Sequence, residues 1–309
     1  FRRVLFRSAD GLWVAQLSLV EFAATSFVWP PHYLFVALGI GVAIAGTAII
    51  SQLIGIGDKE RAESYASHIF YFCLVIGILF SLGGYLLSPF IVKWMGATGD
   101  LRKYASTYLS ILMAGFIFEM LYLSFYAILG AQGNTKITTY ISAGAAILNA
   151  VLDPLFIFDR IPGTSIPGLG LGIAGAAIAT VLSQVIRTLL GAWAIYSPHN
   201  DIRLRIRKVR LSLGQLGELV KMGFPTAMGQ GSAALGFTLL NAEIAAYGDA
   251  TIAAYAAVNR VASFVMQPTG GIGGSLTAIV GQNIGAGKVD RVKAFNRTAF
   301  KVITWMAIG

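Results

Sequence analysis

The chain has 309 residues, 56% of them hydrophobic and 12% charged, and a net charge of +9. Soluble domains hold about 25% charged residues, so this composition, with a mean hydropathy of +0.71, excludes a soluble domain and points to an all-α polytopic membrane protein. One cysteine, Cys73, excludes a disulfide framework and a thiol metal site, and three scattered histidines (His32, His68, His199) suggest no metal cluster.

The first eight residues, FRRVLFRS, are basic and join abruptly to ADGLWVAQL. They match one reading frame of a common sequencing-library adapter and are read as an extraneous segment, without which the charge is +6 (nine less Arg2, Arg3 and Arg7). Nine helical segments are then expected: a partial first at 9–21, then 27–54, 64–92, 104–130, 137–158, 170–196, 220–247 and 250–284, and a ninth from about 291. Four apolar stretches are expected to be long enough to cross about 30 Å of hydrocarbon. They are YLFVALGIGVAIAGTAII with its flanks, YLSILMAGFIFEMLYLSFYAIL, GIAGAAIATVLSQVIRTLLGAWAIY and GFPTAMGQGSAALGFTLLNAEIAAY. The 36 glycines suit close packing of membrane helices. The chain ends inside an apolar run, so both ends read as cut and the chain as part of a longer protein.

Loop charge sets the expected orientation. One set of loops holds thirteen bases (Lys59, Arg61, Lys136, Arg203, Arg205, Arg207, Lys208, Arg210, Lys221, Lys288, Arg291, Lys293 and Arg297), and the other holds four (Lys93, Arg102, Lys103 and Arg160). The first set is assigned to the cytoplasm, and the basic stretch 203–210 to a membrane-facing loop rather than to nucleic acid.

Residues 47–61, TAIISQLIGIGDKER, recur at 277–291 as TAIVGQNIGAGKVDR, with eight of fifteen positions identical. The copies end the second and eighth segments. Six crossings apart, they share one orientation, which is a parallel repeat about an axis along the membrane normal. The expected organisation is an N-terminal bundle at 9–197, a basic linker at 198–219 and a partial C-terminal bundle at 220–309. Such symmetry points to alternating access.

Ionisable residues inside spans are functional candidates. They are Asp10 in the first segment, Glu119 in the fourth, Asp153 in the fifth and Glu243 in the seventh. Asn149 and Asp153, four apart, share a helix face. Pro154 deprives a carbonyl near Ala150 of its donor and is expected to kink the helix. A carboxylate, an amide oxygen and a freed carbonyl can together hold a cation; the alternative is that Asp153 is a neutral, hydrogen-bonded acid that only joins helices. Thr180, among small residues of the sixth segment, either completes that set or bonds its own backbone. Glu119 and Glu243 are secondary candidates, the first equally readable as an internally paired residue, the second as solvated. Arg187 and Arg260 read as structural or snorkelling bases.

In order and spacing, ADGLWVAQL, GTAIISQLIGIGDKERA, ILGAQGNT, LNAVLDPLFIF, GLGIAGAAIATVLSQ, GFPTAMGQ and AAYAAVNRVASFVMQP…VGQNIGAGKVDR resemble the multidrug and toxic compound extrusion (MATE) transporters, in their DNA-damage-inducible-like prokaryotic branch. The resemblance implies two six-helix bundles in an inner membrane. It implies export of cationic or amphiphilic compounds against inward H⁺ or Na⁺, by a monomer with no other cofactor. It places the cation site, open to H⁺ or Na⁺, on Asp10, Asn149, Asp153 and Thr180. A second-bundle acid used in another branch falls on Ala233 here and is expected to be absent. The alternative is a lipid-linked oligosaccharide flippase of the same superfamily, disfavoured by the scarcity of intramembrane bases. No HExxH or GxSxG constellation supports an enzyme.

Overall fold

A computed structural model describes residues 13–198, 200–204, 212–245, 258 and 271–308. Among these the secondary structure is helical, with a single isolated bridge pairing Arg160 and Pro167. The helices are α1 (Leu19–Ile56), α2 (Lys59–Trp94), α3 (Gly99–Ala114), α4 (Phe116–Ala131), α5 (Thr135–Ile157), α6 (Gly172–Ile195), α7 (Leu213–Ala245), α8 (271–285) and α9 (Val289–Ile308). Four of them (α1, α2, α5 and α6) are long and apolar enough to span a membrane, and the bent pair α3–α4 makes a fifth candidate. Helix α7 is not among them, contrary to the reading of its apolar stretch. Its Gln230 and Ser232 and its glycines dilute it.

Large apolar residues face outward in rows. Leu79, Leu82, Leu86 and Phe90 on α2 are 54–74% exposed as a group with Leu87, and Leu182, Ile186, Leu189 and Trp193 line one side of α6. The reverse side of α6 carries Ser183, Gln184, Arg187 and Thr188. Apolar out and polar in is the pattern of a helix solvated by lipid.

Three element boundaries differ from expectation. The break expected between the first two segments is absent, because α1 runs from Leu19 through Pro30 and Pro31. Ser18 starts it. Its hydroxyl accepts from the Glu21 N–H (3.1 Å) and donates to the Glu21 carboxylate (2.8 Å), a variant of the capping box. Membrane helices tolerate internal proline where neighbours re-satisfy the backbone. The fourth segment is two helices meeting at 46°. A side chain on Gly115 would stand 2.5 Å from Val181 Cγ2, and the Ile117 N–H freed by the break donates to Ser81 Oγ at 2.9 Å. Finally, α7 begins at Leu213, seven residues before the expected 220, with Ser212 receiving its first helical bond from Leu216 N–H (3.1 Å). Most of the eighth segment's first half lies outside the described residues.

The chain packs as two compact units. One holds residues up to Val36, Phe72–Leu123 and Thr139–Trp193; the other holds Ala37–Tyr71, Ser124–Thr138 and everything from Ala194. The first unit has a ring cluster of Phe35, Phe80 and Phe116, with centroids 5.1–6.2 Å apart, and His32 edge-on to Phe116.

The second unit gathers the turns between α1 and α2, α4 and α5, α6 and α7, and α8 and α9. Asn134 donates to Asn200 Oδ1 (3.2 Å), Ile202 N–H to Gln132 Oε1 (2.9 Å) and Gln282 to the Ala131 carbonyl (2.7 Å). Ser64 bonds Gln215 (3.0 Å), Tyr65 bonds Glu218, and Ser212 N–H donates to His68 Nε2 (2.8 Å). Where their residues are described, these are the loops grouped by their bases above, and they share one end in space.

The internal repeat is visible as a contact. A Cβ on Gly55 would lie 2.1 Å from the Gln282 carbonyl oxygen, and a Cβ on Gly285 would lie 2.1 Å from that of Gln52. The pairs 52/282 and 55/285 are equivalent at the offset of 230. Helices α1 and α8 therefore cross by the same residues on each side, as a two-fold relation requires, and glycine is what lets the backbones meet.

Candidate functional site

Helix α5 carries the first candidates. Asn149 and Asp153 lie one turn apart, and the Asn149 amide donates to Asp153 Oδ1 at 3.1 Å. Asp153 is fully buried. With the amide nitrogen committed to the carboxylate, the amide oxygen of Asn149 is left as an acceptor. The helix continues through Pro154 to Ile157.

The end of α5 is capped by the loop that leads to α6. Leu169 N–H donates to the Leu155 carbonyl (2.8 Å), Leu171 N–H to Phe156 (3.0 Å) and Gly170 N–H to Phe158 (3.0 Å). These satisfy carbonyls that a helix end leaves without partners. Gly175 brings α6 against that end, since a Cβ there would come within 2.3 Å of the Phe156 oxygen. Five residues on, the Thr180 hydroxyl donates to the Ala176 carbonyl at 3.0 Å. That is the back-bonding alternative for this residue.

Asp10 lies outside the described residues. The first described residue, Trp13, places its ring edge-on to Phe158, just past the end of α5, at 6.2 Å.

Glu119 is in the first turn of α4, directly after the break at Gly115, rather than in the middle of a long span. It forms an ion pair with Arg187 of α6. The guanidinium lies over the Tyr122 ring at 4.3 Å, the Tyr122 hydroxyl bonds Ser142 of α5 (2.7 Å), and Thr188 donates to the Phe118 carbonyl (2.8 Å). The internally paired reading of Glu119 is the one the structure displays, with a partner the sequence left among the structural bases. Glu243 is exposed on α7, in the other unit. Arg260 lies outside the described residues. Among the described residues no group of three or more His, Cys, Asp and Glu side chains is disposed to hold a metal. The oxygens of Asn149, Asp153 and Thr180 are hard donors, suited to H⁺ or an alkali cation rather than to a transition metal.

The described chain is helical, holds a buried carboxylate bonded to an amide on one helix and carries an internal repeat at an offset of 230 residues. A family model described as MatE matches residues 4–155 and 225–309, and the chain belongs to that family. The "Probable multidrug resistance protein YpnP" of Bacillus subtilis is 28% identical over 94% of this chain and 63% of its own length. A protein named "FAD transporter" from Shewanella oneidensis is 26% identical over 93% of this chain and 63% of its own length. Among solved structures, a MATE in complex with MaL6 superimposes with a TM-score of 0.90 at 25% identity, over 99% of this chain and 67% of that one. The chain thus spans less than two thirds of the length of these curated relatives.

Proposed function

We propose that this chain is part of a secondary active transporter that exports cationic or amphiphilic compounds in exchange for inward H⁺ or Na⁺. The coupling ion binds at Asn149 and Asp153, with Asp10 and Thr180 completing the site. The observation that carries this reading is the buried Asp153 carboxylate, held by the half-buried Asn149 amide one turn before it in a spanning helix and followed directly by Pro154. A carboxylate in that setting is stable only with a compensating partner, and a coupling ion is such a partner. The names of the multidrug resistance relatives support the cargo.

Ion binding neutralises the Asp153 cluster. The helices around Pro154 repack, affinity for the cargo falls and it leaves outward; opening inward then releases the ion. The bundles at 9–197 and 220–309, joined by the basic linker, supply the two halves of this motion in a prokaryotic inner membrane, acting as a monomer with the thirteen-base loops in the cytoplasm.

The relative named for FAD transport makes an anionic cargo the second reading. Against it, Arg187 is paired with Glu119 in this structure rather than held open for an anion. The test is efflux of ethidium, with FAD as the competing cargo, from cells under separately imposed pH and Na⁺ gradients. Ethidium expelled under one gradient is the expected result. Export of FAD with ethidium retained would replace this reading with the second one.

A further inference from the structure

We infer that Glu119 and Arg187 form a second ion-handling station in the unit that holds Asn149 and Asp153, in which proton uptake by Glu119 breaks the ion pair and hands Arg187 to Gln184. The inference rests on the proposed ion-coupled transport.

The pair is largely shielded from solvent, with side-chain exposures of 15% for Glu119 and 20% for Arg187. A buried ion pair is weak evidence of stability. It stabilises only where every remaining donor and acceptor is satisfied, and apolar replacements of similar volume often do better. This network is incomplete. Arg187 Nε and Gln184 Oε1 are both buried with no hydrogen-bond partner. One is a donor and the other an acceptor. Three residues apart on α6, they share a face. An arrangement kept only for structure would not leave that pair open; an arrangement with two states would, because each state uses a different acceptor for the same guanidinium.

The surroundings tolerate both states. The Tyr122 ring lies under the guanidinium and holds a cation in place whether or not a carboxylate is present. The titratable and charged groups around Glu119 are Arg187 from α6, Tyr122 from its own helix and His32 from α1. Helix α2 contributes the Ser81 hydroxyl beside the same turn.

A proton from water adds to a Glu119 oxygen, the N–H···O contact with Arg187 is lost, and the guanidinium stays cationic.

The switch has something to move. The first turn of α4 follows a 46° break and is tied to α6 by the ion pair and by the Thr188–Phe118 bond. Releasing the ion pair removes one of these two ties. The station also lines up with the Asp153 site. Ser142 precedes Asn149 by seven residues on α5, and Arg187 follows Thr180 by seven on α6, which is two turns on the same faces and about 10 Å along each axis. Through the Tyr122–Ser142 bond both helices carry an upper and a lower polar layer.

The test is infrared difference spectroscopy of the full chain in lipid between neutral and acidic buffer, without cargo. The expected wild-type spectrum holds a protonated-carboxyl band that Glu119→Gln abolishes, Glu119→Asp shifts and Asp153→Asn leaves in place. An unchanged spectrum in Glu119→Gln overturns the inference. Should that variant fail to fold, an unshifted band in Glu119→Asp overturns it equally. A swap, Glu119→Arg with Arg187→Glu, restores the ion pair. It is expected to restore protein abundance without restoring pH-driven ethidium efflux, and full recovery of efflux would show the role to be structural. The two readings fail separately. A band lost only in Asp153→Asn removes the second station, and a band lost only in Glu119→Gln leaves it standing whatever becomes of the Asp153 site.

Discussion

Asp153 tolerates full burial in this structure partly because the Asn149 amide faces it. Removing that donor with Asn149→Leu leaves a buried acceptor short of a bond, which typically costs about 1–3 kcal/mol. A thermal melt of the purified variant should show a lowered midpoint, and an unchanged one would mean the amide bond does not hold the carboxylate. The spacing of Asn149 and Asp153 was legible because it is local: four residues on a helix fix a shared face. The partner of Glu119 was not. Arg187 is 68 residues away, and only packing of α4 against α6 joins them. Thr180 was legible as two alternatives, and its bond to Ala176 displays one of them.

At the scale of elements, the break between α3 and α4 is set from outside the helix. Gly115 is one glycine among 36, and nothing in its neighbours distinguishes it. What bends the chain there is Val181 pressing where a side chain would be and Ser81 supplying an acceptor for Ile117 N–H. Gly115→Ala should therefore overpack the site and lower stability by about 1–3 kcal/mol. Adding Val181→Ala should recover most of that loss, a coupling that a double-mutant cycle on thermal stability would read directly. Additive losses would mean that the two residues do not oppose each other. The continuity of α1 through Pro30 and Pro31 was hidden for a related reason. Proline ends helices in water, whereas in a membrane the loss of helix is the greater penalty.

Over the whole molecule, two sequence signals were carried into space. Grouping loops by their bases predicted which turns share an end, and those turns are hydrogen-bonded to one another in the second unit. The 230-residue repeat predicted a parallel relation, and a Cβ on Gly55 or on Gly285 would stand the same 2.1 Å from the carbonyl oxygen of Gln282 or of its repeat equivalent Gln52. Both signals are non-local but redundant, spread over many residues, which is why they survive where single contacts do not. Symmetry makes a further prediction. Gly55→Ala and Gly285→Ala each drive a methyl into a backbone carbonyl that cannot rotate away, so the two should lower the melting temperature by similar amounts. A large loss from one and none from the other would contradict a symmetric crossing.

The most direct measurement concerns coupling at Asp153. In proteoliposomes holding the wild-type chain, a pH or Na⁺ gradient should drive ethidium uphill, and ethidium should also exchange across the membrane without a gradient. Asp153→Asn should keep the exchange and lose the gradient-driven accumulation, since the protein still binds and moves its cargo but no longer takes up the ion. Accumulation by Asp153→Asn at the wild-type rate would show that the coupling ion does not bind at Asp153.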